Sequence, residues 1–163
     1  MAAWVTIYLR DRVAQLSLVA LERELAGYPD WHTLAETFEI DDAEVDAVIE
    51  KLVWSDDPLE IRLEGRRPLQ FHVWAEPGRV REEVEELDQI AGAQELPASV
   101  RTHLASIQSV VAIEMGFSQL ETMFEIVAFE VAYWLAAKHG GLIRGPNDMW
   151  FDHAAHRWDP IKN

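Results

Sequence analysis

His153 and His156, flanked by Asp152 and Asp159, form the one group in this chain whose residue types suit a metal site. On a helix, two imidazoles at i and i+3 share a face, and a carboxylate would complete the shell. No Glu general base stands beside them in a His-Glu-x-x-His arrangement, and they fall in a polar tail, residues 153–163, where chain ends fray. A solvated tail is therefore the expectation, with no metal. Glu114, Glu125 and Glu130 lie in or beside the most apolar stretch, where burial raises a carboxyl pKa toward the range useful for acid or base work. For Glu130, which projects between two apolar strips, a buried carboxylate bonded to backbone or paired with an arginine is the commoner outcome. No nucleophile elbow, phosphate loop or dinucleotide fingerprint occurs, and the absence of cysteine excludes disulfides, thiol nucleophiles and thiolate zinc sites. The expectation is a chain that is not an enzyme and needs no cofactor.

Charge is the stronger signal. Twenty-nine Asp and Glu against fourteen Lys and Arg give a formal net charge of −15. Between residues 36 and 64, Glu36, Glu39, Asp41, Asp42, Glu44, Asp46, Glu50, Asp56, Asp57, Glu60 and Glu64 are opposed only by Lys51 and Arg62. Residues 82–88 add Glu82, Glu83, Glu85, Glu86 and Asp88. Such a field repels phosphate backbones and anionic lipid and speeds encounter with a cationic protein, so nucleic acid and membrane are disfavoured as partners. The simpler reading is a set of solvated helix faces that keep the protein soluble. Read as a docking surface, the candidate partner-binding residues are Asp41, Asp42, Glu44, Asp46, Glu82, Glu83 and Glu86, with Trp74 as an aromatic anchor. Among the seven tryptophans, Trp54 and Trp134 follow core patterns, whereas Trp31, Trp74, Trp150 and Trp158 stand near turns or opposite aliphatic strand faces, where aromatics anchor interfaces.

These residues need elements to position them. A chain of 163 residues, 49% hydrophobic, supports one domain without staples. Val5, Ile7 and Leu9 alternate with Trp4, Thr6 and Tyr8, which predicts a strand, and nothing at the N-terminus reads as a secretion signal. A helix is predicted over 12–26 with Asp11 as its cap, and a second from Asp41, whose stripe is Val45, Val48, Ile49 and Leu52. Leu59, Ile61 and Leu63, then Leu69, Phe71 and Val73, alternate with polar residues about a turn at 65–68, a hairpin with one buried face. Helices are expected from Gly78 to Gly92 and over 97–108, with a buried strand over 110–115. Ser118 and Glu121 read as a capping box opening a central helix that ends at Lys138, His139, Gly140 and Gly141. Its broad face carries Leu120, Met123, Phe124, Val127, Val131 and Leu135; a second strip, Ile126, Phe129 and Tyr133, is the candidate seam of a homodimer. Two short strands, 142–144 and 149–152, follow around the turn at 145–148.

This order predicts an α+β fold: a mixed, mainly antiparallel sheet with helices packed on one face, each half (1–75 and 76–152) carrying a strand, a helix and a hairpin in a β-α-β-β pattern. No apolar run approaches the roughly 18–20 residues that span a bilayer, and the expectation is a soluble, cytoplasmic protein.

The C-terminal third carries a resemblance. A strand ending Ile113 and Glu114, a long helix ending Tyr133, Trp134, Leu135, Ala136 and Ala137, then Gly140, Gly141, Leu142 and Ile143, and a strand of Trp150, Phe151 and Asp152 resemble small bacterial proteins, many of them immunity proteins of polymorphic and contact-dependent toxin systems. Where an Asp-Pro turn often follows the glycines in that pattern, here Gly145 precedes Pro146. The resemblance implies a cytoplasmic protein that binds a cognate toxin domain and blocks its active site; it carries over no functional residue. The alternative is a small-ligand protein or hydrolase-like enzyme with Glu130, Glu114 or the two histidines in a pocket beside the long helix.

Overall fold

The computed structural model describes residues 2–25, 31–90, 96–154 and 159–162. The strands are β1 (Ala2–Leu9), β2 (Val53–Asp56), β3 (Leu59–Arg62), β4 (Leu69–Trp74), β5 (Ser109–Gly116), β6 (Gly141–Arg144) and β7 (Trp150–Asp152). The helices are α1 (Leu18–Leu25), α2 (Trp31–Thr37), α3 (Asp42–Lys51), α4 (Pro77–Ile90), α5 (Ala98–Leu104) and α6 (Met123–His139), with a 3-10 turn at Phe117–Gln119. The strands form one antiparallel sheet in the order β2-β3-β4-β5-β1-β6-β7. The α+β fold with an antiparallel sheet is as expected. The two halves share that sheet: β1 lies between β5 and β6, so the first strand of the chain joins strands of the second half.

The period of two in the strands sorts side chains into two layers. Val5, Ile7 and Leu9 of β1, Phe71 of β4, and Val111, Ile113 and Met115 of β5 point to an inner face and pack with α1, α2, α3 and α6. On the other face Tyr8, Val110, Leu142 and Trp150 pack with Val80 and Leu87 of α4 and Val100 and Leu104 of α5. The main helical layer is thus on one face as expected, and two further helices cover part of the other.

α6 is buried on nearly every side between the sheet and α2. That arrangement explains its two apolar strips. Ile126, Phe129 and Tyr133, the expected dimer seam, are buried, and Phe129 meets Phe151 of β7 edge-on at 5.5 Å. The strip belongs to the core of a single chain and has no surface left for a second copy. The buried Met, Phe, Ile, Val and Leu side chains of α6 each contribute about 1.5–3 kcal/mol, and together they outweigh the cost of taking the polar Glu130 side chain into the interior.

Two helices begin later than their local pattern predicts. After β1, the Ser109 hydroxyl donates to the Asp11 carbonyl at 2.6 Å and accepts from the Val13 amide at 3.1 Å, which ties the segment to β5 in a non-helical path. α1 therefore starts at Leu18, capped by Ser17, whose Oγ accepts from the Ala20 amide at 3.1 Å. Asp56 completes that cap, accepting from the Ser17 hydroxyl at 2.8 Å and the Leu18 amide at 2.6 Å; Asp11 has no part in it. Likewise Gln119 accepts from the Gly116 amide at 2.8 Å and donates to the Arg67 carbonyl at 2.6 Å, holding residues 117–119 in a tight turn. Glu121 then takes φ 58°, a left-handed value that interrupts a helix. Thr122, in place of Ser118, caps α6.

The expected N-cap Asp41 does cap α3, accepting from the Ala43 amide at 2.7 Å. A strand that the pattern did not predict, β2, carries Trp54 and forms the sheet edge. Among the described residues, no helix is long and apolar enough to cross a membrane.

Candidate functional site

The half of the outer face that α4 and α5 leave open is a groove of about 620 Å³. Its shape follows from strand register. One row across the sheet reads His72 on β4, Ala112 on β5, Thr6 on β1 and Arg144 on β6. The two small side chains in the middle make a depression between two long ones. The rows on either side carry rings: Trp74 and Tyr8 flank Val110, and Trp4 faces Glu114. The floor is therefore low and the walls are aromatic.

The rings touch one another. Trp4 and His72 lie 5.5 Å apart, centroid to centroid, and His72 stacks on Trp74 at 6.0 Å with planes only 11° apart. The His72 Nε2–H donates to Glu114 at 3.1 Å, and Arg67 donates to the same carboxylate at 3.4 Å, so the imidazole is fixed in orientation. Trp4 is 38% exposed, and Phe117, also on the groove, is 48% exposed. Such rings offer apolar area ready to be desolvated by a partner.

α4 supplies the charged wall. Val80 and Leu87 anchor it on the sheet, and the spacing 79, 83, 86 then brings Arg79, Glu83 and Glu86 along the groove. The Arg79 guanidinium sits over the Trp74 ring, 4.9 Å from its centroid, and pairs with Glu82 at 3.2 Å and Glu83 at 2.7 Å. Burial holds the Glu83 carboxyl above its usual range; Arg79 opposes this, while the charges of Glu86 and Glu82 add to it. On the opposite wall Arg144 is committed to Asp148 at 2.6 Å, across the turn before β7. Burial raises the Tyr8 hydroxyl to about 12, against the pull of Arg144, so the phenol stays neutral.

Of the expected partner-binding residues, the structure brings Trp74, Glu83 and Glu86 together on this groove, with Glu82 on its rim. Asp41, Asp42, Glu44 and Asp46 are exposed on α3, in the helical layer behind the other face of the sheet, where Asp42 and Asp46 lie 2.9 and 3.5 Å from His32. The two acidic helices do not make one surface. Trp150 is buried against Tyr8 at 5.2 Å, and Trp31 packs half-buried on the inner core, so neither is a free anchor. Trp158 and His156 lie outside the described residues; His153 is 3.8 Å from Asp152 and 3.4 Å from the Gly141 carbonyl. Among the described residues, no three His, Asp or Glu side chains converge as metal ligands. Glu130 is buried in α6 on the inner face, whereas Glu114 faces outward, so the two carboxylates do not meet in a pocket beside the long helix.

Trp4, His72, Arg79 and Arg144 are the groove residues that motif reasoning missed. The signal was the alternation itself, which puts Trp4 and Tyr8 together opposite Val5, Ile7 and Leu9, and His72 with Trp74 opposite Phe71 and Val73. No protein-family model, curated protein or solved structure matches this chain.

Proposed function

We propose that this chain is a non-enzymatic binding protein that docks a basic protein partner on the open groove of its sheet, and that the partner is a toxin domain whose active site it blocks. The observation that supports this reading is one surface joining exposed aromatic rings, Trp4 and Phe117, to a wall of carboxylates on α4. Aromatic anchors supply affinity and the carboxylates select a cationic partner. The net charge of −15 raises the encounter rate with such a partner, an effect that falls with salt. A cytoplasmic place of action goes with this reading.

The test is co-expression with the product of the adjacent gene and capture of the complex at low and high ionic strength. The wild-type chain is expected to retain that product, less well at high salt. Trp4→Ala removes a ring that the core does not use, and is expected to weaken the complex by about 2 kcal/mol, about thirtyfold. Failure of the wild-type chain to bind, or full retention by Trp4→Ala, would overturn the reading.

A further inference from the structure

We propose that the groove is a receptor for one arginine side chain of the basic partner, which lies against Trp4 and His72 and pairs with Glu86 and Glu83. This inference rests on the docking reading above and names the chemistry of its central contact. Three features of the groove carry it.

The first is an imbalance of charge. Arg144 is neutralised by Asp148 at 2.6 Å, and Arg67 by Glu114 at 3.4 Å. Of the two arginines of α4, however, only Arg79 lines this groove, where it serves both Glu82 and Glu83, and Glu86 lines the same groove with no ion pair among the described residues. Glu83 is half-buried and Glu86 exposed one helical turn away, and the repulsion between these like charges is what a second cation would relieve. Burial above all, and then the neighbouring charges of Glu86 and Glu82, hold the Glu83 carboxyl up against the pull of Arg79.

The second is a platform of the right kind. Arg79 already lies over Trp74 at 4.9 Å while paired to carboxylates, so the chain contains a worked instance of a guanidinium held between an indole face and acids. Trp4 continues the same run of rings and is open to solvent. The third is shape. A planar guanidinium stacks on a ring and bonds carboxylates through its fork, which a compact ammonium cannot do, so arginine is favoured over lysine. The small floor of Ala112 and Thr6 leaves depth for one side chain between the walls.

The experiment follows the tryptophan indole N–H signals by NMR while N-acetylarginine amide is added, with the citrulline and lysine amides as controls. Citrulline has nearly the same shape without the charge. Arginine amide is expected to shift the Trp4 and Trp74 signals saturably, with a Kd in the millimolar range, and citrulline amide to bind at least about tenfold more weakly. Glu86→Gln, which leaves both Arg79 ion pairs in place, is expected to weaken arginine amide about threefold to tenfold. Equal shifts with citrulline, equal or tighter binding of lysine amide, an unchanged Glu86→Gln titration, or no saturable shift would each overturn the inference. If arginine amide fails while Trp4→Ala still abolishes capture of the partner, the arginine contact falls and the docking reading stands; if Trp4→Ala has no effect on capture, the docking reading falls as well.

Discussion

Asp41 and Asp56 each tie down the start of a helix, one from beside it and one from across the fold. Asp41 was legible as a cap because its partners are the amides of the next residues, Ala43 and Glu44. Asp56 was not, because the helix it caps begins 38 residues earlier in the chain. Glu125 was expected in an apolar setting and lies there, accepting from the Glu121 amide at 2.9 Å, and burial holds its carboxyl above the usual 4.5. A raised folded-state pKa means that the folded chain holds this proton more tightly than the unfolded chain, so the stability it contributes is present below 4.5 and is lost as pH rises through the folded value. Glu125→Gln keeps an oxygen for the Glu121 amide and cannot ionise. Its urea midpoint should match the wild type near about pH 4 and exceed it at about pH 7; a lower midpoint at about pH 7 would show that the carboxylate charge is stabilising instead. His103 is the contrasting case, since burial lowers its pKa while its Nε2–H donates to the Tyr8 carbonyl at 2.7 Å, giving a neutral imidazole with a purely structural bond.

Among the elements, the strands were the most legible, because alternation with a period of two survives whatever the strand pairs with. Helix starts were less so. The capping patterns at Asp11 and Ser118 are sound locally but lose to the bonds of Ser109 with Asp11 and of Gln119 with Arg67, whose partners lie 98 and 52 residues apart in the chain. The end of α6 was legible: Gly140 takes φ 70°, the left-handed cap that glycine adopts without strain. Gly141 is needed for a different reason. A Cβ there would stand 2.8 Å from the Leu9 side chain and 2.9 Å from the Ala136 backbone, where helix and sheet meet. Gly141→Ala is expected to cost about 1–3 kcal/mol, read as a lower thermal midpoint; an unchanged midpoint would mean that the α6–β1 contact is loose. The same closeness fixes the position of β6, which carries Arg144 into the groove wall.

At the scale of the whole molecule, strand order was not legible, since β1 pairs with segments 100 to 138 residues away and no turn signal encodes that choice. The consequence for function is large. From the sequence the acids of 41–46 and 82–86 read as one negative surface, but the sheet separates them. A helical layer is about 10–12 Å thick, and the screening length at physiological salt is about 8 Å, so charges on α3 contribute little to a cation held beside α4. Isothermal titration of the basic partner at about 0.15 M ionic strength therefore tests the central claim most directly. The groove variant Glu83→Gln/Glu86→Gln should weaken binding at least about tenfold, whereas Asp42→Asn/Glu44→Gln/Asp46→Asn should change it less than about threefold. A loss on the α3 substitutions that equals or exceeds the loss in the groove would contradict the account.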